Sequence, residues 1–406
     1  MTAPRLRSRP ADPLDVAVVG GGMVGAAAAL ALARAGFATA LLEAHAPAPW
    51  LATDEVDLRV VGLAASSIAL LDDLGVWASI RDHRAAPYAR MHVWDAGSGA
   101  AVDFDASADG RAWLGWIVEN NLVQWTLWQA LEAAGVQRLC PARVTGFQAR
   151  EDRVTLDLGP RTDGGETTRL SARLLVAADG AHSPLRRLAG LDTHGRDYEQ
   201  CAVVAHVATA RAHQHTAWQR FLPGGPLALL PLADGRSSIV WSLPAAQAQR
   251  VLALDETSFC NEVGIASDFR LGPVLSSTRR AAFPLKLQLA DRYQAERFVL
   301  LGDAAHAVHP LAGQGVNLGL RDVVELRDTL VAAREAGRDF AAAQVLRRYA
   351  RRRRSADTLD AWSFDALARI YDWQAPPLVA ARALGVRLVD ALAPLKRRLA
   401  AHAAGR

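Results

Sequence analysis

The sequence of 406 residues predicts an α/β protein with two interleaved domains and a helical C-terminal region. Three observations support this prediction. A strand, a glycine-rich turn and a helix follow one another near the N-terminus, a long middle stretch is rich in strand-forming residues, and buried strand patterns return after it. A chain of this length also exceeds one comfortable hydrophobic core, which favours two domains.

The first predicted unit is a strand, a helix and a second strand. The stretch DVAVVGGG is typical of a buried parallel strand and turn, MVGAAAALALARAG of a helix that ends at Gly36, and FATALLE of a strand. Residues 16–33 carry no charge over 18 positions, but their consecutive glycines indicate a turn and not a membrane span. The pattern predicts a Rossmann-like βαβ unit.

The domain borders are predicted from changes of pattern along the chain. A Gly-Ser-Gly turn between strand-like stretches suggests a hairpin that leaves the first domain, and a mostly antiparallel β-sheet is expected in the middle of the chain. The stretch RFVLLGD and the helical pattern after it return to the first domain. The predicted divisions are 13–81, 112–189 and 283–330 for the nucleotide domain, 82–111 and 190–282 for the sheet domain, and 331–406 for basic C-terminal helices.

The composition fits a globular chain with an uneven charge. Hydrophobic residues make up 51%, and the formal net charge of +4 gives no indication of nucleic-acid binding. Residues 331–406 contain 15 Lys and Arg against 7 Asp and Glu, so the basic residues are concentrated in the tail. Cys140, Cys201 and Cys260 form no C-x-x-C pair, which argues against a disulfide framework and fits a reducing, cytoplasmic setting.

A nucleotide-binding motif joins the first strand to the first helix. Gly20, Gly22 and Gly25 form G-x-G-x-x-G, and Glu43 ends the next strand 18 residues after Gly25. Glycines let the backbone approach a pyrophosphate at the positive end of the helix, and the acid can accept a hydrogen bond from a ribose hydroxyl. The motif predicts a dinucleotide, but FAD and NAD share this mode of binding and both stay open.

Two further motifs place acids at the ends of strands. In VAADGAHSPLRRLAG, Asp179 and Gly180 precede a helix that Ser183 would cap, which is also the pattern of a plain connecting helix. In LLGDAAHAVHPLAGQGVNLGL, Gly302 and Asp303 end a buried strand, where a carboxylate can accept hydrogen bonds from ligand hydroxyls.

The glycines after the third motif favour a flat ligand. Gly313 and Gly315 would let the backbone pass close to a flavin ring, and the helix that begins near Val316 would stabilise the negative charge of the reduced ring. His306 and His309 have metal-like spacing without a third ligand nearby. We therefore predict no metal site, with His306 bracing the loop and His309 bordering a pocket.

At these motifs the chain resembles the flavoprotein aromatic hydroxylases of the para-hydroxybenzoate hydroxylase type. More narrowly, DLRVVGLAASSIALLDDLGVW, IVENNLVQWTLWQAL, FPL at Phe283 and GDAAHAVHPLAGQGVNLG are similar to the ubiquinone-biosynthesis hydroxylases of the UbiH and UbiI type. The resemblance covers nearly the whole chain. MHVWD and SIVWSL are most similar to the 2-polyprenylphenol 6-hydroxylase branch of that family.

The resemblance implies roles for individual residues around FAD. Arg59 and Gln124 should meet the ribityl and phosphate region, although they could instead be a surface ion-pair partner and a solvated helix residue. Asp303 should bind the ribityl chain, and Asp179 should support the pyrophosphate side. The remaining implied contacts are Pro310 at the reactive edge of the flavin, His309 beside the substrate ring, and Gly313, Gly315, Val316 and Asn317 around the pyrimidine end.

The resemblance also implies a reaction. NAD(P)H would reduce the flavin, O₂ would add to give a flavin hydroperoxide, and the distal oxygen would attack the ring of a lipophilic polyprenylated phenol next to its hydroxyl group. A second G-x-G-x-x-G between a strand and a helix is missing from the sequence, so NAD(P)H should bind only transiently. The alternatives are a hydroxylase of a small soluble aromatic, an isoprenoid epoxidase, or a flavin-bearing, non-catalytic scaffold of a membrane-associated quinone-biosynthesis complex.

The tail and the sheet leave two further expectations. The run RRYARRRR predicts a solvated helix face. A leucine stripe in the last helices is expected either to dock on the body or to lie on an anionic membrane surface, where the basic helices would meet a quinone-biosynthesis complex. Its members are Leu384, Leu388, Leu392, Leu395 and Leu399. In the sheet, Trp218, Phe221 and Trp241 are candidates for the wall of a substrate pocket, with core packing as the alternative.

Overall fold

The computed structural model describes residues 14–159, 168–307, 315–372 and 375–405. Its strands are β1 Leu14–Val19, β2 Thr39–Leu42, β3 Val60–Ala64, β4 Ala86–Tyr88, β5 Arg90–Asp95, β6 Ala101–Asp105, β7 Gly115–Glu119, β8 Gln137–Leu139, β9 Val144–Ala149, β10 Val154–Leu158, β11 Thr168–Ala177, β12 Thr193–Thr209, β13 Thr216–Leu222, β14 Gly225–Pro231, β15 Ser237–Pro244, β16 Val274–Ser277, β17 Ala281–Ala290, β18 Gln294–Ala295, β19 Phe298–Leu300 and β20 His306–Ala307. Its helices are α1 Met23–Arg34, α2 Ala65–Asp73, α3 Trp77–Arg84, α4 Asn120–Ala133, α5 Pro184–Leu188, α6 Ala245–Leu252, α7 Glu256–Ala266, α8 Gly315–Glu335, α9 Ala343–Asp372, α10 Pro376–Ala391 and α11 Ala393–Ala403.

The first domain is built on a mostly parallel sheet. Its strand order is β18-β19-β11-β1-β2-β8, with β9 and β10 as an antiparallel extension beside β11. The neighbours β19, β11, β1, β2 and β8 run parallel, and β18 is antiparallel to β19. Helix α1 packs against α4 and α8, and its alanine-rich middle is buried. The predicted Rossmann-like α/β fold is confirmed.

The second sheet has nine strands and is antiparallel except where β13 runs parallel to β5. Its order is β20-β17-β12-β15-β14-β13-β5-β6, and β16 pairs with β12. The predicted hairpin is present, because β5 and β6 pair with Met91 opposite Phe104. The predicted border between 282 and 283 falls inside β17, where Phe283 pairs with Ala202 of β12. The first part of the segment 283–330 therefore extends the antiparallel sheet.

The C-terminal helices dock on both domains. Helix α9 packs along α8, and α10 packs against β6. The ring of Tyr371 stacks on Phe221 of β13 with 3.8 Å between ring centroids. At the far end, His402 pairs with Asp360 of α9 at 2.6 Å. The C-terminal helices therefore dock on the body of the protein, which is one of the two arrangements expected from the sequence.

One arginine of the run RRYARRRR departs from the predicted solvated face. Arg353 is buried and forms ion pairs with Asp322 of α8 and Asp357 of α9. A sequence run shows charge but not which helical face meets the protein. The neighbours Arg351, Arg352 and Arg354 are exposed as expected.

Candidate cofactor and substrate site

The glycine-rich turn between β1 and α1 is shaped by close backbone approach. Gly20 has φ +108°, and a Cβ there would lie 2.3 Å from the carbonyl oxygen of Ala178 on β11's trailing loop. A Cβ on Gly25 would lie 1.9 Å from the carbonyl oxygen of Gly20. Gly22, at the start of α1, has open space where its Cβ would be. Two glycines thus serve packing, while the third leaves room for a ligand at the helix terminus.

Glu43 and Gln124 both hold this turn from the side. The backbone N–H of Gly21 donates to one carboxylate oxygen of Glu43, and the N–H of His45 donates to the other at 3.0 Å. Gln124 Nε2 donates to the carbonyl oxygen of Gly21 at 2.9 Å. Gln124 is thus bound to the turn and not a solvated helix residue. The ribose contact of Glu43 stays a prediction.

A cavity of about 460 Å³ opens beside the turn. Its walls come from the N-terminus of α1, from β3, from α4 and from the ends of β11 and β19. The predicted site residues that line it are Gly22, Gly25, Arg59, Gln124, Gly180, Asp303, Gly315 and Val316. All three motifs therefore meet at one cavity, although they lie almost 300 residues apart in the sequence.

Asp303 occupies an unusual environment within this cavity. Its side chain keeps accessible surface because it faces the cavity, yet it lies deep in the protein. Burial raises the pKa of Asp303, while the nearby His306 acts in the opposite direction. Gly302 has φ +56°, a left-handed conformation that favours glycine and turns the chain toward the cavity.

Arg59 and Asn120 stand at the same wall. Arg59 is exposed to the cavity, forms no ion pair with the residues that the structure describes, and lies 6.0 Å from the ring centroid of Phe283. Asn120 Oδ1 is buried without a hydrogen-bond partner in the described part of the chain. Sequence reasoning missed Asn120, which follows β7 as the first residue of α4. A free cation and an orphaned acceptor both suit a polar cofactor.

Asp179 lies just behind the cavity. One carboxylate oxygen accepts the backbone N–H of Leu185 at 3.1 Å, so it helps to cap α5 together with Ser183. Its other oxygen is buried without a partner in the described residues, and burial raises the pKa of Asp179. The structure therefore shows the capping role, and the predicted support of a pyrophosphate stays a prediction.

Only some of the site residues predicted around the start of α8 line the cavity. Gly315 and Val316 line the cavity, so the start of α8 faces it as predicted. The side chain of Asn317 points elsewhere: its oxygen accepts from Ala64 N–H and Ser67 Oγ, and its nitrogen donates to Gly62. The predicted residues His309, Pro310 and Gly313 lie outside the described residues.

A buried cluster behind Asp303 has the composition of a metal site. Ligand atoms of His306, Asp322 and Asp357 lie within 4.8 Å of one another. Arg353 already pairs with both carboxylates, so a cation would have to displace a guanidinium group. We assign the cluster as an ion-pair network, not a metal centre.

A second cavity, also about 460 Å³, adjoins the first. The two share the residues Arg59, Val60, Asn120, Asp303 and Ala307. The opposite wall is one face of the antiparallel sheet, where the inward side chains are Ala202, Val204, Gln219, Pro226, Ala228, Leu230, Val240 and Ser242. From β17 of the same sheet, the lining also includes Phe283, Pro284, Leu285, Lys286 and Gln288. The sheet side of the cavity is therefore mostly apolar with four polar side chains, Gln219, Ser242, Lys286 and Gln288, which suits a lipophilic aromatic ligand.

The aromatic residues expected to line this wall do not do so. Trp241 packs in the core on the other face of the sheet, because Val240 and Ser242 on either side of it point into the cavity. Trp218 likewise packs toward the core on the other face, because its neighbour Gln219 points into the cavity. Phe221 does not line the cavity and stacks on Tyr371 of α9. Without the strand register, sequence reasoning could not assign the faces.

The comparisons with known proteins agree with this geometry. A family model described as FAD binding domain matches residues 13–359. The p-nitrophenol 4-monooxygenase PnpA of Pseudomonas putida has a similar fold, with a TM-score of 0.78 at 21% identity over 96% of this chain and 97% of that one. The glycine cradle, the orphaned acceptors and the open cavity fit FAD. Fold and site define an FAD-dependent monooxygenase.

Sequence relatives narrow the class. The 3-demethoxyubiquinol 3-hydroxylase of Escherichia coli is 38% identical over 97% of this chain and 99% of its own. The ubiquinone hydroxylase UbiL of Rhodospirillum rubrum is 37% identical over 96% and 89%. The chain belongs to the FAD-dependent ubiquinone-biosynthesis hydroxylase family, as its resemblance implied. Contacts of individual residues with FAD stay predictions.

Proposed function

We propose that this protein hydroxylates the aromatic ring of a polyprenylated phenol in ubiquinone biosynthesis. FAD would be the resident cofactor, NAD(P)H a transient electron donor and O₂ the co-substrate. The observation that carries the proposal is the pair of adjoining cavities, since the cavity with the nucleotide motif opens onto a second cavity whose lining is mostly apolar. A ring in the second cavity would then lie next to a flavin in the first.

We assign cofactor binding to residues of the first cavity and substrate binding to residues of the second. Bound FAD supplies the reducing and oxygen-transferring chemistry. Gly22 and the N-terminus of α1 would accommodate the phosphates, and Asp303 would accept hydrogen bonds from ribityl hydroxyls. The apolar sheet face would exclude water and hold the ring, while Gln219 and Ser242 offer the polar contacts that orient it.

The ring position is a finer proposal. The sequence resemblance favours the carbon next to the hydroxyl of a polyprenylphenol, whereas the Escherichia coli relative is named for a different substrate, a demethoxyubiquinol hydroxylated at position 3. We retain the carbon next to the hydroxyl as the proposal, because MHVWD and SIVWSL are most similar to that branch.

The function is tested in the source organism, in a strain from which the gene for this protein has been deleted. The chain should restore quinone formation, and the intermediate that accumulates without it identifies the ring position. The variant Asp303→Asn serves as the matched site control and should lose complementation. Restoration of a different hydroxylation step would correct the ring position, and normal quinone levels in the deleted strain would refute the proposal.

We further propose that the tail lies on an anionic membrane surface. The leucine stripe of α10 and α11 is exposed although both helices dock on the body, with exposed fractions from 39% at Leu395 to 60% at Leu384. Arg387, Arg397 and Arg398 stand beside it and form no ion pair with any residue the structure describes. Basic side chains beside exposed leucines match the chemistry of an anionic lipid surface.

The described helices include none that is long and apolar enough to cross a bilayer, so surface contact is the proposed mode. Vesicles of neutral lipid alone and of neutral lipid with anionic phosphatidylglycerol would be sedimented with the full chain. Replacing Leu388 and Leu392 with Ser should reduce binding to anionic vesicles severalfold. Equal binding of the variant and the parent would contradict the proposal, and self-association without lipid would assign the stripe to a second copy.

A further inference from the structure

The short turn that carries Asp303 rests on a buried carboxylate. Asp322 Oδ2 accepts the backbone N–H of Gly302 at 2.9 Å and contacts His306 Nε2 at 2.7 Å. Gly302 begins the turn and His306 ends it, so one oxygen atom joins both ends. Asp303 lies between them on the cavity side. The orientation of Asp303 therefore depends on a contact behind the cavity.

Two residues of α9 complete this arrangement. Arg353 Nε donates to Asp322 Oδ1 at 2.5 Å, and another guanidinium nitrogen donates to Asp357. Asp357 Oδ2 lies 3.5 Å from His306 Nε2, which closes a ring of four side chains. We call His306, Asp322, Arg353 and Asp357 the charged quartet. Its histidine and both acids have no exposed side-chain surface.

The charge of the quartet fixes the protonation of its histidine. With both carboxylates ionised, two carboxylates and one guanidinium sum to a charge of −1, and an imidazolium brings the sum to zero. Burial, with Asp322 beside it, raises the pKa of Asp357 to about 7, so this count applies above that pH. Because an uncompensated buried charge is strongly unfavourable, the protonated form of His306 is stabilised. Burial opposes the imidazolium, but Asp357 and Asp322 outweigh burial and raise the pKa of His306 to about 9, with Arg353 acting against them.

The same charges act on Asp303 from behind. Burial raises the pKa of Asp303, His306 lowers it, and Asp322 raises it. The ring of Tyr293 packs 6.0 Å from His306 and adds no charge at neutral pH, because burial raises the pKa of its hydroxyl. His306 is thus the cation that favours an ionised Asp303.

We infer that His306 is a positioning residue for FAD, whose imidazolium fixes the turn through Asp322 and keeps the carboxylate of Asp303 negatively charged. A charged carboxylate accepts stronger hydrogen bonds from ligand hydroxyls than a protonated one. This role of His306 is separate from ring hydroxylation, because it acts on the binding of the cofactor and not on the substrate.

The test is a double-mutant cycle on FAD affinity. Wild type, His306→Gln, Asp303→Asn and the double variant would be stripped of flavin and titrated with FAD, followed by flavin fluorescence. Because burial raises the pKa of Asp303, the His306→Gln variant should bind FAD about tenfold more weakly than wild type at the acidic end of the titration, and its affinity should recover as the pH is raised and Asp303 ionises. Asp303→Asn should bind weakly at every pH, and adding His306→Gln should weaken it no further.

The control is His92→Gln, a histidine that pairs with Asp103 and lies on β5, close to the opposite end of the antiparallel sheet from β20. It should leave FAD affinity unchanged. Thermal unfolding of each apoprotein checks folding, and Arg353→Lys should preserve the pH profile. A loss in His306→Gln that adds to the loss in Asp303→Asn would overturn the inference. A loss that is the same at every pH would overturn the effect on the charge of Asp303 and leave only the fixing of the turn. Failure of wild type to bind FAD would instead refute the proposed function.

Discussion

Arg382 of α10 and Asp95 of β5 form a buried ion pair with two contacts, 2.9 Å from Nε to Oδ2 and 3.0 Å from Nη2 to Oδ1. The pair joins the C-terminal helices to the edge of the antiparallel sheet. Both side chains have under a tenth of their surface exposed. The tail is therefore anchored to the sheet by a buried ion pair.

Removing one partner of this pair should destabilise the protein. Arg382→Ala leaves Asp95 as a buried charge without its main partner, a change that costs about 3–5 kcal/mol in comparable pairs. The measurement is urea unfolding of the full chain. Lys396→Ala is the control, because the Lys396–Asp390 pair is partly exposed and should contribute at most about 1 kcal/mol. Equal effects of the two variants would contradict the prediction.

The two glycines of the nucleotide turn should respond differently to alanine. Gly25→Ala places a Cβ against the backbone of Gly20 and should lower the free energy of unfolding of the apoprotein. Gly22→Ala meets no protein atom within 4 Å and should leave apoprotein stability unchanged while it weakens FAD binding. Thermal unfolding and FAD titration separate the two effects. A stable Gly25→Ala apoprotein with normal FAD affinity would refute this division.

Gln219 should contribute to substrate use and not to cofactor binding. It is 6% exposed, lines the second cavity and makes no side-chain hydrogen bond to a described residue. Gln219→Leu should lower kcat/KM by about 10- to 100-fold, the range expected when one buried hydrogen bond to the substrate is lost. FAD affinity should not change. Gln148→Leu, at an exposed position of β9, is the control, and equal losses in both variants would contradict the assignment.

The charged quartet should make stability depend on pH. The pKa of His306 is about 9 in the folded protein, above the ordinary value of 6.5, so the folded state binds the proton more tightly. This contribution is fully present below about pH 6.5 and is lost as pH rises through about 9. Its size is of the order of 1–3 kcal/mol. Urea unfolding between these pH values should show a smaller decline for His306→Gln than for wild type, and parallel curves would argue against it.

Local patterns indicated which motif residues would lie together, because each motif lies at the end of a buried strand. The carboxyl ends of β1, β11 and β19 meet at one edge of a parallel sheet, so Gly22, Gly180 and Asp303 had to converge. The position of each motif directly after a strand was sufficient to predict that these residues lie close together. No distant contact was needed to place these residues.

The substrate wall and the charged quartet could not be predicted in the same way. Whether Gln219 or Trp218 faces the cavity depends on strand pairing, which a sequence pattern of mixed polarity does not determine. Arg353 lies within a run of arginines, and only the packing of α9 on α8 singles it out. Asn120 gave no signal, since a polar residue at the start of a helix is ordinary.

The cofactor cavity is assembled from segments far apart in the sequence, since Gly22 and Gly315 both line it. A ligand that binds only this assembled form stabilises the folded state by mass action, and the gain grows with the logarithm of its free concentration. Bound FAD would then hold the segment around Gly22 and the segment around Gly315 together. Cells short of flavin should contain less of this protein, even when they synthesise it at an unchanged rate.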